Sequence, residues 1–133
     1  MVSNEDIKIA LIARLKSLSA ITNELPSTDE IRETQWQGTT FQYPNIRVRI
    51  LSNQPMGVDS CYHDIKAGIQ VNSEEDSSKE AEHISGIIVS ELNNKAFRQG
   101  DVNCILVVTN LIPAIRTEQL VWRSEVLFDI VAS

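Results

Sequence analysis

The stretch Cys61-Tyr-His-Asp-Ile-Lys-Ala-Gly-Ile-Gln-Val71 alternates small or apolar side chains with mostly polar ones. Successive side chains of a β-strand point to opposite faces, so this pattern predicts a strand with one buried face. The predicted buried face comprises Cys61, His63, Ile65, Ala67, Ile69 and Val71. The opposite face, which includes Asp64 and Lys66, is then polar and open to water.

A helix is predicted directly after this strand. Asp76 or Ser77 is expected to cap this helix, and Ser77 and Glu80 have the spacing of a capping box. Apolar residues then recur at helical spacing at Ala81, Ile84, Ile88 and Leu92, and the pattern ends near Asn94. The chain therefore passes from a half-buried strand into an amphipathic helix.

Three further strands are predicted around this unit. Residues 45–51 alternate apolar and polar side chains, and residues 119–132 do the same. Residues 102–109 are largely apolar on both faces, which is typical of a central strand that is covered on both sides, and Pro113 is expected to close that strand. We expect the last two strands to form a long hairpin.

The N-terminal segment predicts a second amphipathic helix over residues 4–21. Ser3 and Asp6 resemble a capping box, and Ile7, Leu11 and Leu15 follow at helical spacing. Together the elements predict one α+β domain over residues 1–133. Its simplest architecture is a single mainly antiparallel β-sheet with two helices packed on one face.

Residues 23–44, which we call the arm, lack a sustained period. Ile31–Trp36 is predicted to pair with Thr39–Tyr43 across Gln37 and Gly38, which makes the arm extended and hairpin-like. Irregular segments of this length in small domains are often functional.

The arm and the strand after it supply the candidate site of this chain. Tryptophan, tyrosine and arginine are common at the centre of protein interfaces. The candidate interface residues are Trp36, Phe41, Tyr43, Arg47 and Arg49. In the alternative interpretation, the rings fold over the open face of the sheet and complete the core.

Composition and charge exclude several classes of function. The net charge of −6 and the pI near 4.8 oppose tight binding of nucleic acid, which depends on clustered lysine and arginine. No apolar run approaches the length of a membrane span, and the N-terminus lacks a secretory signal, so we expect synthesis in the cytoplasm. Cys61 and Cys104 interrupt strand-like patterns and are predicted to be buried free thiols.

The sequence offers little support for enzymatic chemistry. It contains no phosphate-binding loop, no dinucleotide fingerprint and no nucleophile elbow. The spacing of Cys61, His63, His83 and Cys104 does not suit a zinc site.

Asp64-Ile-Lys66 has the acid-x-Lys spacing of metal-dependent nucleases, but the preceding strand provides no second acid. A solvated strand face with cross-strand charge pairs explains Asp64 and Lys66 more simply. We therefore predict a non-enzymatic protein with no catalytic residue, cofactor or metal.

Over its full length the chain resembles the tail terminator and tail-completion proteins of bacteriophages, which cap the tail tube. The resemblance lies in the order of the elements: an amphipathic helix, an irregular arm, a strand, a strand that continues into a helix, and a closing hairpin. The stretches that carry it are Ile7–Leu15, Tyr43–Ile50, Gly68–Ser73, Lys79–Ile84, Ile88–Leu92 and Trp122–Ile130.

The resemblance implies a structural virion protein in the tail or neck. Such a protein forms a ring, commonly of six copies, stops polymerisation of the tail tube and presents the head attachment surface. The implied partners are further copies of the chain, the tail tube protein, a head-completion or neck protein and, in tails that have one, the sheath. DNA passes through the ring without specific binding.

Two alternatives stay open at this point. A neck or head–tail connector protein has the same general description as a terminator. A ferredoxin-like regulatory domain that binds a small ligand belongs to a different class, and it would need a pocket with convergent polar groups.

Overall fold

The computed structural model of the chain describes residues 2–57 and 61–133. The helices are α1 (Asn4–Ser17), α2 (Ser19–Thr22) and α3 (Lys79–Leu92), and Thr28–Glu30 forms a short 3-10 turn. The strands are β1 (Ile31–Glu33), β2 (Asn45–Pro55), β3 (His63–Ser73), β4 (Lys95–Gln99), β5 (Val102–Arg116) and β6 (Trp122–Ala132).

The six strands form one sheet in the order β1-β2-β3-β6-β5-β4. Only the pair β1 and β2 is parallel, and the other neighbours are antiparallel. The predicted α+β class with one mainly antiparallel sheet is confirmed, as is the long hairpin of β5 and β6.

The helices pack on one face of this sheet. Ile7, Leu11 and Leu15 of α1 and the predicted stripe of α3 belong to one apolar cluster with the inward residues of the strands. That face of the sheet, which we call the covered face, includes Val48 and Ile69. Fully burying an apolar side chain of this size contributes roughly 1.5–3 kcal/mol, so this cluster dominates the stability of the fold.

Only one of the two predicted capping boxes is present. Ser3 Oγ accepts a hydrogen bond from the Asp6 N–H at 3.1 Å, and the Asp6 carboxylate accepts one from the Ser3 N–H at 3.0 Å. The Ser3 backbone hydrogen bond lowers the pKa of Asp6. The box at Ser77 does not form. The N-cap of α3 is Ser78, and the Glu80 carboxylate accepts a hydrogen bond from the Ser73 hydroxyl at 2.8 Å.

The arm follows a different path from the predicted hairpin. Ile31–Glu33 pairs with β2 as a parallel strand rather than with Thr39–Tyr43. The chain then turns, and residues 36–44 have no regular secondary structure. Asn45, the residue after the arm, begins β2 and lies opposite Asn72 of β3.

Strand β5 departs from its prediction in length and in coverage. It continues through Pro113 to Arg116. A proline is tolerated there because β4 pairs only with Val102–Leu106, and no strand of the described residues pairs with the rest of that edge. Ile105 and Val107 are 54% and 44% exposed, so the prediction of a strand covered on both faces is wrong. The helices cover only one side.

The cysteines divide between a buried and an exposed position. Cys104 is buried as predicted, and burial raises the pKa of its thiol to about 11. Cys61 is exposed, so the prediction of a buried thiol is wrong there. β3 begins only at His63, and Cys61 therefore precedes the part of the strand that the helices cover.

Candidate protein interface at the arm

The buried carboxylate of Glu30 holds the arm to the sheet. Its Oε2 accepts a hydrogen bond from the Gln42 N–H at 3.0 Å, and its Oε1 lies 3.7 Å from a guanidinium nitrogen of Arg47. Arg47 also donates a hydrogen bond to the Glu30 carbonyl oxygen. A buried charge is costly without such partners, so this ion pair fixes where the arm returns to β2.

The electrostatics of Arg47 reflect its position under the arm. Burial lowers the pKa of the Arg47 guanidinium, and the Glu30 carboxylate opposes that lowering. Arg47 remains a cation, because a guanidinium keeps its proton at neutral pH. Its charge is paired with the Glu30 carboxylate of the same chain.

A row of polar side chains continues from the arm across the sheet. Asn45 donates a hydrogen bond to the Gln42 carbonyl oxygen at 3.1 Å, and Asn72 donates one to the Asn45 side-chain oxygen at 2.9 Å. Arg123 of β6 then donates to the Asn72 side-chain oxygen at 2.8 Å. These bonds connect the arm to β2, β3 and β6, so its base is anchored rather than free.

Three aromatic rings of the arm contact one another. The Phe41 ring lies 6.4 Å from the Trp36 ring and 5.5 Å from the Tyr43 ring, both in edge-to-face geometry. The guanidinium of Arg32 stacks over Trp36 at 3.6 Å, and that of Arg47 lies 5.6 Å from the same ring. Stacked arginine and edge-to-face rings hold side chains in place without burying them fully.

The ring cluster lies outside the apolar core and borders a cleft. Phe41 is 42% exposed, Trp36 and Tyr43 are half-buried, and the core cluster includes none of them. The cleft has a volume of about 360 Å³, and Gln70, Asn72 and Arg123 lie among its lining residues. The rings therefore shape a surface and do not complete the core.

The tip of the arm is the most exposed part of this surface. Residues 37–40, which we call the arm tip, are all exposed. Gly38 lies directly against the Trp36 ring, where a side chain would collide with the indole. A glycine at this position therefore allows the ring to fold back over the chain.

Arg49 lies apart from the ring cluster and pairs with Glu125 of β6. Its Nε and one terminal nitrogen each lie 2.6 Å from a Glu125 carboxylate oxygen. Between them lies Gly68 of β3, where a Cβ would meet both side chains. The hydrogen bonds that Arg49 donates to the Glu125 carboxylate raise the pKa of Arg49, which is the effect expected of a two-pronged ion pair.

The structure thus brings together four of the five predicted interface residues. Trp36, Phe41, Tyr43 and Arg47 converge, and Arg49 belongs to a separate ion pair. Their role in binding a partner stays a prediction.

Sequence reasoning missed Glu30, Glu125 and Gly68, which position these groups. A glycine inside a strand is a signal of close approach, so Gly68 offered a clue in the sequence. Glu30 and Glu125 offered none, because their partners are distant along the chain.

Asp64 and Lys66 form a charge cluster on the face of the sheet away from the helices, which we call the open face. The Lys66 ammonium lies 2.7 Å from the Asp129 carboxylate of β6 and 3.5 Å from that of Asp64. The predicted cross-strand charge pairing is therefore present. Asp129 is the neighbouring acid that the sequence alone did not reveal.

Two of the four residues considered for a zinc site, Cys61 and His63, lie in different environments. His63 is buried, with Nδ1 2.7 Å from the Asn53 side-chain oxygen, whereas Cys61 is exposed. Among residues 2–57 and 61–133, no three His, Cys, Asp or Glu side chains are grouped so that they could hold a metal ion. Within the same ranges, no helix has the length and apolar character to cross a membrane.

Comparison with known proteins gives one informative finding. No family model and no curated protein matches the chain. Among solved structures, it is similar to a chain of the "Virion of native gene transfer agent (GTA) particle", with a TM-score of 0.69 and 11% sequence identity. The similarity covers 95% of this chain and 93% of the other. At this identity the likeness establishes a shared fold over nearly the whole of both chains.

Proposed function

We propose that this chain is a structural protein of a phage-like virion. The observation that carries the proposal is the fold likeness, with a TM-score of 0.69 over 95% of the chain, to a chain of a gene transfer agent virion. The order of elements predicted from the sequence resembles that of tail terminators, which supports the same conclusion without reference to the structure. The acidic balance also suits a protein past which DNA moves without binding.

Within the virion, we propose that copies of the chain close into a ring, of six subunits, on the end of the tail tube. The ring stops tube growth and provides the surface to which the head or neck attaches. Two features support contact with other chains: the exposed aromatic cluster of the arm, and the exposed apolar residues of β5 on the open face.

The decisive experiment removes the protein from cells that produce the particles, followed by electron microscopy. A tail terminator is expected to leave tail tubes of uncontrolled length without heads. A neck or head–tail connector is expected to leave tails of normal length that are not joined to filled heads. Normal, complete particles would contradict the virion role altogether.

A second experiment tests the ring and the arm with purified protein. Mass photometry of the chain with tail tube protein should reveal a closed oligomer. Replacing residues 37–40 with a Gly-Ser linker should weaken the oligomer and leave the circular dichroism unchanged, because the anchoring hydrogen bonds of Gln42 and Asn45 remain. A strict monomer at high micromolar concentration with tube protein present would contradict the ring.

A further inference from the structure

The outer edge of β5 has a short unpaired stretch. β4 pairs with β5 only as far as Leu106, and the Asn93 side chain accepts a hydrogen bond from the Val108 N–H at 2.9 Å. Beyond this cap, no strand of the described residues lies on that side. Pro113 lacks an N–H, so the stretch available for pairing is Thr109–Ile112, which we call the edge window.

A pocket lies directly beside the edge window. Glu82 and Ser85 of α3, Leu111, Ile112 and Pro113 of β5 and Ser124 of β6 line a cavity of about 250 Å³. The Ser85 and Ser124 hydroxyls form hydrogen bonds with each other and with the Ala81 carbonyl oxygen. The two hydroxyls that line the pocket therefore already have partners within the chain. An unpaired strand edge beside a side-chain pocket is the arrangement by which sheets accept an added strand.

We propose that the edge window of one copy receives the arm tip of the next copy as an added strand. This inference rests on the proposed ring and identifies the two surfaces that make its contact. Phe41, the most exposed ring of the arm cluster, then enters the pocket beside α3. Main-chain hydrogen bonds provide affinity, and the ring in the pocket provides specificity.

The chemistry of the arm tip suits this role. None of the backbone N–H groups of residues 37–41 donates a hydrogen bond to another group of the described chain. The residues of the arm tip are exposed, so pairing them with a neighbour costs few existing contacts. Backbone groups that are solvated in the free chain gain partners when an edge strand accepts them.

The positions of the two surfaces predict a ring rather than a symmetric dimer. The arm leaves β1 and returns to β2 at one edge of the sheet, whereas the edge window lies near the other edge. A contact between two different surfaces repeats head to tail, and it closes into a ring when the rotation allows it. The two surfaces of one subunit therefore remain available to two different neighbours.

Leftover charges on the two surfaces are complementary. Arg32 stacks on Trp36 and bonds to the Asp29 carbonyl oxygen, but it has no carboxylate partner among the described residues. Glu82 borders the pocket, and within residues 2–57 and 61–133 it has no cationic partner. A cation beside the donor and an anion beside the acceptor favour this pairing of surfaces.

The direct test uses crosslinking between two differently tagged populations of the full chain, both carrying Cys61→Ser and Cys104→Ala. One population carries Thr40→Cys in the arm tip and the other Asn110→Cys in the edge window. A short bis-maleimide should join the two tags when tube protein induces assembly. Asp101→Cys, an exposed position in the turn between β4 and β5, is the matched control and should give no product.

Charge reversal tests the same contact without crosslinks. Arg32→Glu and Glu82→Arg should each weaken oligomer formation by about tenfold, and the double variant should restore it. Restoration excludes simple damage to the arm, because the second change lies on another element.

The outcomes separate this inference from the proposed function. If the ring forms but gives no Thr40–Asn110 crosslink, and neither charge reversal weakens it, the strand-addition contact is wrong and the proposed ring is retained. Failure to form any oligomer with tube protein overturns both.

Discussion

The two halves of the open face differ in what their side chains present to water. On the half formed by β2, β3 and the middle of β6, Arg49 pairs with Glu125 and Lys66 pairs with Asp129. On the half formed by β5 and the end of β6, Ile105 and Val131 lie opposite each other and both are exposed. One half is complete within the chain, and the other presents apolar surface to water.

This difference indicates where a partner is needed. Charged side chains with cross-strand partners require no cover, because the strands themselves satisfy them. Exposed β-branched residues on a sheet contribute stabilising burial only when another surface covers them. The charged half therefore stabilises the monomer, whereas the apolar half is available for assembly.

The largest expected effect on stability contrasts the covered face with the open face at neighbouring residues of β3. Ile69 is fully buried, and Gln70 lies on the open face between Arg47 and Glu125. Ile69→Asp should lower the free energy of unfolding by about 3–5 kcal/mol, because it buries an unpaired charge. Gln70→Asp should cost less than about 1 kcal/mol, since Arg47 offsets Glu125. Equal shifts in urea unfolding would show that the register of β3 is wrong.

The next effect tests whether the charged half is complete without a partner. The Glu125 side chain is 8% exposed, whereas the Arg49 side chain is 38% exposed. Arg49→Leu strands a buried carboxylate and should cost about 3 kcal/mol. Glu125→Leu leaves a hydrated guanidinium and should cost about 1 kcal/mol or less. Urea denaturation of both variants at pH 7 measures the asymmetry, and equal costs would contradict it.

The covered face could be predicted from the sequence, and much of the open face could not. Alternation in β3 and the helical stripe of α3 report burial directly, because local spacing determines which side chains share a face. The same logic failed for β5. A strand with two apolar faces is expected to be packed on both sides, but the pattern does not say whether the second packing surface comes from this chain or from another.

The candidate site shows the same limit. The aromatic residues of the arm stand out in the sequence, and the structure brings Trp36, Phe41 and Tyr43 together. The groups that position them depend on contacts between distant residues: Glu30 with Arg47, and Arg123 with Asn72. No periodic pattern encodes such pairs, because they arise from strand order and register.

A smaller effect is expected in the charged half at Lys66. Its ammonium bridges Asp64 and Asp129, but all three side chains are well exposed. Asp64→Ala and Lys66→Ala should each leave the free energy of unfolding nearly unchanged, because exposed ion pairs contribute little to stability. Neither variant should alter particle assembly. Metal-dependent cleavage of plasmid DNA by the wild type, lost in Asp64→Ala, would contradict the non-enzymatic proposal.

The smallest effect on stability is expected in the apolar half, where the variant Ile105→Thr with Val131→Thr removes exposed apolar surface. Threonine keeps the β-branched shape that strands favour, so the free energy of unfolding should change by about 0.5 kcal/mol or less. The buried control Val48→Thr should cost about 1–3 kcal/mol, because it places a hydroxyl in the apolar core. Urea unfolding measures the double variant and the Val48→Thr control.

The same double variant distinguishes the two exposed surfaces of β5. It should elute earlier than the wild type from a phenyl column, since that retention reports exposed apolar area. Ring formation should persist, because Ile105 lies where β4 already pairs with β5, away from the edge window. If the double variant instead abolishes the ring while Arg32→Glu and Glu82→Arg have no effect, the contact between copies lies on the open face and not at the strand edge.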